Sequence, residues 1–311
     1  MNIACVGLAL VDALSWPLSD YPTSLRPQVN TSHVRLQPGG GATNVAIVTA
    51  RLGLSPRLFA SVGDDFCGRF FRDEVAAAGV DASTVSVDPT EPTPFTYVGI
   101  GLDGERTFIH TPGSNRTFSL NELDRRAVLE CDALVMPDVF ALPRIDGQPT
   151  VELLALARQR GIRTLLDETY GLGQSRPLFE VMVREADILA PSFQDLSGMY
   201  PGVEARALAL HLLQVGARSV VLKMGALGCL VAENGKVQSV ATKPITVVDA
   251  TGAGDAFDAG LIVALLLGET IESAAEAASF VAAKSLQAVG AAAGVPSYSA
   301  VREAISSKYK R

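Results

Sequence analysis

Two periods alternate along this chain, and that alternation narrows its folding options more than any other feature. Short β-branched or aliphatic runs (IACVGLAL, RLFASVG, ALVMP, RTLLDE, ILAPS, SVVLKMG) are separated by longer segments whose apolar residues recur at helical spacing. The helical segments include ATNVAIVTARLG, GRFFRDEVAAAG, TVELLALARQRG and EARALALHLLQVG. Strand and helix repeated in this way predict an α/β fold: a doubly wound, mostly parallel sheet flanked by helices. Gly53, Gly79, Gly161 and Gly216 each follow a helical segment, where a left-handed cap is wanted. With 311 residues, 48% of them hydrophobic and 19% charged, the chain has ample apolar material for a large core.

Two segments break the alternation. Residues 13–38 are rich in Ser, Pro and Thr, and within 88–110 the run TPFTYVGIGLDGERTFIH reads as two strands around Asp103-Gly104, a strong hairpin signal. No helix separates these strands, so they are expected to form a small β lid, with 1–12, 39–87 and 111–311 making the core. An open sheet face of this kind is usually covered, which makes a homodimer through paired lids an expectation too.

The formal net charge is −7 and no Lys/Arg run exceeds a pair, so nucleic acid is not an expected partner. Cys5, Cys67, Cys131 and Cys229 are too scattered for a zinc site or a disulfide framework, which fits the cytoplasm. The apolar start MNIACVGLALVDAL carries Asp12 and lacks a basic leader, so it reads as a strand, and GLIVALLLG is too short to span a membrane.

Two glycine clusters remain, PGGGATNVAIVTARLG and VVDATGAGDAF, and neither fits the P-loop or the dinucleotide fingerprint. In the second, glycines precede a helix whose first amides have no intrahelical partner, a place that attracts anions. Asp255 sits in that place and is itself an anion. Its presence makes sense if it takes a proton from whatever attacks a bound phosphate, although a simple helix N-cap is the alternative.

The pair GGGATNVA (Gly39 to Ala46) and DATGAGDAF (Asp249 to Phe257) resembles the two signatures of the ribokinase-like (PfkB) family of sugar kinases. GLALVD ending in Asp12, VGDDFCG and DGERTF resemble further family segments in the same order. The resemblance implies transfer of the γ-phosphoryl group of ATP to a hydroxyl of a small sugar or sugar acid. Asp255 would be the general base, acting at its ordinary acidity, with the amides of Gly252, Ala253 and Gly254 opposing the charge of the transferring group.

For the acceptor, the resemblance points to Asp12, Gly40, Gly41 and Asn44, with Arg106 and Asp138 as further candidates. Arg106 lies on the lid with Phe95, Tyr97 and Phe108, where ligand contact and ordinary hairpin packing fit equally. For ATP it implies Ser192, Lys223, Gly225, Gly228, Thr251, Gly252, Gly254 and Ser279. Lys223 at a strand end would meet either a phosphate or a nearby acid. Magnesium is implied with ATP, with Asp195 reaching it through water. Asp249 and the GAAAGVP segment resemble the elements that hold a monovalent cation, potassium, in some members. Ser192 and Asp195 stand where many relatives have Asn and Glu, and DETYG lacks an asparagine common in ribokinases and fructokinases. A nucleoside kinase of the same superfamily and a non-catalytic sugar-binding protein are the alternatives.

Overall fold

β1 (Asn2–Val6), β4 (Ser55–Gly63), β5 (Val85–Asp88), β8 (Ala133–Val139), β9 (Arg163–Glu168), β10 (Ile188–Leu189), β11 (Ser219–Lys223), β12 (Cys229–Glu233) and β13 (Lys236–Val240) form one sheet in the order β13-β12-β11-β10-β9-β8-β1-β4-β5. The computed structural model describes residues 1–22, 28–102, 106–169, 175–288, 290 and 292–306. All pairings are parallel except β11 with β12 and β12 with β13, so this is the doubly wound, mostly parallel sheet that the alternation implies.

The period of two along each central strand divides its residues between two cores. Ile3, Cys5, Val135 and Leu165 pack on one face with α1 (Gly41–Arg51), α2 (Phe66–Ala77), α8 (Ala253–Leu266), α9 (Ile271–Ser285) and α10 (Tyr298–Ser306). Ala4, Val6, Leu134 and Leu166 pack on the other with α3 (Glu122–Val128), α4 (Gln148–Gln159), α5 (Arg176–Val183), the single turn α6 (Phe193–Leu196) and α7 (Ala205–Val215). Strands covered on both faces read as continuous apolar runs, which is how NIACV and ALVMP appear. Gly53, Gly79, Gly161 and Gly216 all have positive φ at the ends of their helices.

A second sheet of four strands, in the order β3-β2-β6-β7, comprises β2 (Leu10–Leu18), β3 (His33–Gly39), β6 (Phe95–Gly101) and β7 (Arg106–Thr111). Its strands begin at Leu10 and end at Gly39 and Thr111, slightly outside the limits of 13–38 and 88–110, while Asp88 belongs to the main sheet through its pairing with Gly63. The Asp103-Gly104 turn lies outside the described residues.

Two readings of the sequence change. IACVGLAL is not one strand but two: between Val6 and Leu10 the chain leaves one sheet for the other, the Asp138 carboxylate takes the amide of Leu8, and Gly7 is needed there because a Cβ would lie 2.2 Å from that carboxylate. The β12–β13 hairpin is not among the expected strands, although its signal is present: Asn234-Gly235, both at positive φ, make the tight turn that joins them.

Candidate active site

The carboxyl ends of β8, β9 and β11, the segments after β1 and β10 and the start of α8 converge on one cleft of about 990 Å³. Ligands in open α/β sheets bind at such an edge. Every proposed residue except Arg106 and Asp249 lines this cleft.

α8 begins at Ala253 with Gly252 at its N-cap in the left-handed region (φ 68°), and its first intrahelical bond runs from Ala256 N to Gly252 O. The amides of Gly252, Ala253 and Gly254 therefore have no partner within the helix, and the helix dipole adds to their attraction for an anion. Asp255 follows directly. Its Oδ2 accepts a hydrogen bond from Asn44 Nδ2 at 2.8 Å, which joins the two glycine clusters across 211 positions of sequence. Asp255 does not have ordinary acidity: burial pushes it up to about 6, against the pull of Asn44 and Lys223.

Lys223 has found acids. Its Nζ lies 2.5 Å from Asp167 Oδ2 and 3.2 Å from Asp258 Oδ1, and it packs against Gly254. Burial works against its charge, but Asp167 and Asp258 outweigh it and hold the lysine protonated. Asp258 is itself pushed well above the usual carboxylate range by burial and by Asp167, which favours its neutral form. The sequence reading missed both acids. Asp258 had a signal, an acid one turn past Asp255 on an otherwise apolar helix.

Of the residues expected at the acceptor, Asp12 shares a sheet face with Thr96 and Phe108. Burial, and to a lesser degree Asp249, hold Asp12 up at about 6 against a hydrogen bond from Thr96. Gly39 leaves it room, since a Cβ there would lie 2.4 Å from its Oδ2. Asp138 lines the cleft, but its carboxylate takes the amides of Leu8, Gly41 and Ala42 at 2.8 to 3.0 Å. It therefore pins the start of α1 and holds Gly41 and Asn44 in place, rather than reaching outward to a ligand as the sequence suggested. Burial and the Asp255 charge place Asp138 at about 7.

Arg106 also changes role. It does not line the cleft itself but donates from Nη1 to Oγ1 of Thr251, a cleft-wall residue, at 2.6 Å and from Nη2 to Asp249 Oδ1. Asp249 takes further bonds on the same Oδ1 from Thr251 N and Oγ1, and on Oδ2 from Gly290 N. Burial would raise Asp249, but these donors and Arg106 together hold it below the ordinary carboxylate range. Oδ1 is filled by three donors and Oδ2 accepts one, so an ion at this carboxylate would compete with Arg106. Phe95 and Tyr97 point to the opposite face of the small sheet from Phe108, so only Phe108 reaches the cleft.

Of the residues expected at the nucleotide, Ser192, which caps α6 by accepting from Asp195 N, lines the cleft with Gly225, Gly228 and Ser279. Gly228 (φ 90°) tolerates no side chain, because a Cβ would meet Val240 O at 2.0 Å. Glu168, absent from the sequence reading, lines the cleft beside Asp195 and is raised to about 8 by burial and by Asp167 and Asp195. Tyr170 and Gly171 of DETYG, and Ala291 of GAAAGVP, lie outside the described residues.

A carboxylate beside an amide-lined helix start, with a polar glycine turn facing it, suits transfer of a phosphoryl group to an alcohol. A sequence model of the pfkB family of carbohydrate kinases matches residues 1–297, and the chain belongs to that family. It is 29% identical over 272 residues to a fructokinase of Rhizobium leguminosarum bv. trifolii, covering 85% of this chain and 79% of that one. It is 28% identical over 280 residues to an aminoimidazole riboside kinase of Salmonella typhimurium, covering 83% and 86%. The structure of Arabidopsis thaliana ribokinase complexed with ribose and ATP superposes with a TM-score of 0.84 over 98% of both chains at 22% identity, a likeness of fold. Among the described residues no helix is long and apolar enough to cross a membrane.

Proposed function

We propose that this carbohydrate kinase transfers the γ-phosphoryl group of ATP to a hydroxyl of a small neutral sugar, with Asp255 as general base. The observation that carries this reading is the 2.8 Å bond from Asn44 to Asp255, which brings the acceptor motif against the base at the anion-binding start of α8. Asp255 accepts the proton of the attacking hydroxyl, while the amides of Gly252, Ala253 and Gly254 stabilise the charge on the transferring phosphoryl group. Asp12 and Asn44 hold acceptor hydroxyls, and Gly40 and Gly41 allow close approach to the backbone.

Among the described residues at the acceptor end, Asp12, Asn44, Thr96 and Asp138 are the polar groups and Leu8, Leu10 and Phe108 the apolar ones. None is a cation. A sugar acid or a phosphosugar would bring its negative charge next to Asp12 and Asp138, so a neutral polyol fits best. A nucleoside acceptor is the second reading, and it rests on Phe108, whose ring lines the cleft and is 60% exposed, available to stack on a base.

Asp195 and Glu168, side by side at the nucleotide end, suit a Mg²⁺ that keeps most of its waters and rides on the nucleotide phosphates. Bound there, the ion would neutralise phosphate charge. Ser192, Gly225, Gly228, Thr251 and Ser279 are assigned to the nucleotide, and Lys223 acts on it through Gly254. The four cysteines are free thiols, which supports a reducing compartment such as the cytoplasm.

The test is ATP-dependent ADP release over a panel of neutral sugars, sugar acids and nucleosides, with Asp255→Asn run beside the wild type. A neutral sugar should give the highest kcat/KM, and the variant should lose about 10²- to 10⁴-fold in kcat. A variant that turns over like the wild type would remove Asp255 from the chemistry.

A further inference from the structure

Among the described residues, the Asp249 carboxylate, read for an alkali ion, is already paired with an arginine. An alkali cation needs a shell of oxygens that replaces its hydration. Here Arg106 and Thr251 occupy Asp249 Oδ1, and Gly290 N occupies Oδ2. Two carbonyls of the described part of the second loop are engaged as well: Arg51 Nη1 donates to Ala292 O at 2.6 Å and to Ala293 O at 3.1 Å. Two guanidinium groups therefore supply the positive charge on the two segments that were expected to share an ion.

Arg106 comes from β7, in the small sheet, whereas Asp249 and Thr251 lead directly into the Gly252–Gly254 turn of the core. The ion pair is well sheltered, with Arg106 21% and Asp249 5% exposed. Gln37, on β3 of the same small sheet, lies across from Gly290: a Cβ there would come 3.2 Å from its Oε1. The small sheet thus touches both loops.

We propose that Arg106 is the counter-charge of Asp249 in place of a monovalent cation, and that it makes the order of the Thr251–Gly254 turn depend on the seating of the small sheet. Arg106 is a positioning residue here. It touches neither the phosphoryl group nor the acceptor, but holds the loop whose amides do. The inference builds on the kinase reading above and can fail separately from it.

The experiment compares wild type, Arg106→Gln and Arg106→Lys in KCl and in tetramethylammonium chloride at equal ionic strength, by steady-state kinetics and by calorimetric titration with ADP. Wild-type kcat and ADP affinity should agree within about twofold in the two salts, since no ion is needed. Arg106→Gln should lose roughly 10-fold or more in kcat in tetramethylammonium, as for other displaced positioning groups, and should recover part of it in KCl. Arg106→Lys should restore activity without added K⁺. A wild type that K⁺ stimulates severalfold would overturn the proposal, as would an Arg106→Gln variant that keeps full activity or gains nothing from K⁺. If no acceptor in the panel is phosphorylated, the kinase reading fails instead, and the ADP titrations still decide the ion question.

Discussion

A base that must take a proton during phosphoryl transfer works best with a pKa near the working pH, and burial has moved Asp255 to about 6. Protonated Asp255 cannot accept the hydroxyl proton, so kcat/KM should fall as pH drops through about 6. Asn44→Ala removes the hydrogen bond that holds Asp255 down. Its acid limb should therefore lie above that of the wild type, and a pH–rate profile of both proteins checks this; coincident limbs would mean that the Asn44 contact does not tune the base. Lys223 sits in a buried pair with Asp167 and Asp258. Asp255 was legible in the sequence because its glycines and helix start are its immediate neighbours. The partners of Lys223 and Arg106 were not, because Asp167 is 56 and Asp249 143 positions away from them and only the sheet order brings each pair together.

The small sheet carries different chemistry on its two faces because side chains alternate along each strand. Asp12, Thr96, Phe108 and Arg106 share the inner face, while Ala13, Leu36, Tyr97 and Ile109 share the outer. On the outer face Val34 is 67% and Ile109 68% exposed, an apolar patch that a second copy of the chain would cover. If the small sheets pair in solution, Ile109→Lys should shift a dimer to a monomer in sedimentation velocity; a wild type that sediments as a monomer would refute the pairing. In the core, α8 and α9 cross so closely at Gly260 that a Cβ there would lie 2.9 Å from Ala278 Cα, a backbone atom that cannot turn aside. Gly260→Leu should destabilise the fold by about 1–3 kcal/mol through overpacking, read from the denaturant midpoint. The glycine turn marked the start of α8 in advance, but nothing local says which helix packs against it, so the need for a glycine at this crossing was not readable.

Seven acids raised first by burial, Asp195 and Asp258 among them, give the whole molecule a common response to pH. Asp12, Asp146 and Asp255 are raised to about 6, Asp138 to about 7 and Glu168 to about 8, in each case first by burial. The folded protein therefore keeps protons that the unfolded chain releases near pH 4, and stability from these groups is full below that point and lost as pH rises through about 6 to 8. Asp65, Asp81, Asp88, Asp249 and Glu180 are shifted down, so their contribution is present above their unfolded pKa and is lost as pH falls through the folded one. The nucleotide-free protein should accordingly melt at a higher temperature near about pH 5 than near about pH 8. Scanning calorimetry across that range tests it, and a melting temperature that rises toward pH 8 would contradict the assignment. The sequence by itself determined the α/β class and the two glycine turns and put Asp255 forward as the proposed base, because each depends on residues close together in the chain. Only the tertiary structure decided that Asp138 pins a helix, that Lys223 answers two acids and that Arg106 answers Asp249. Those assignments depend on which strand ends lie side by side and how deeply each charge is buried, and neither quantity is local.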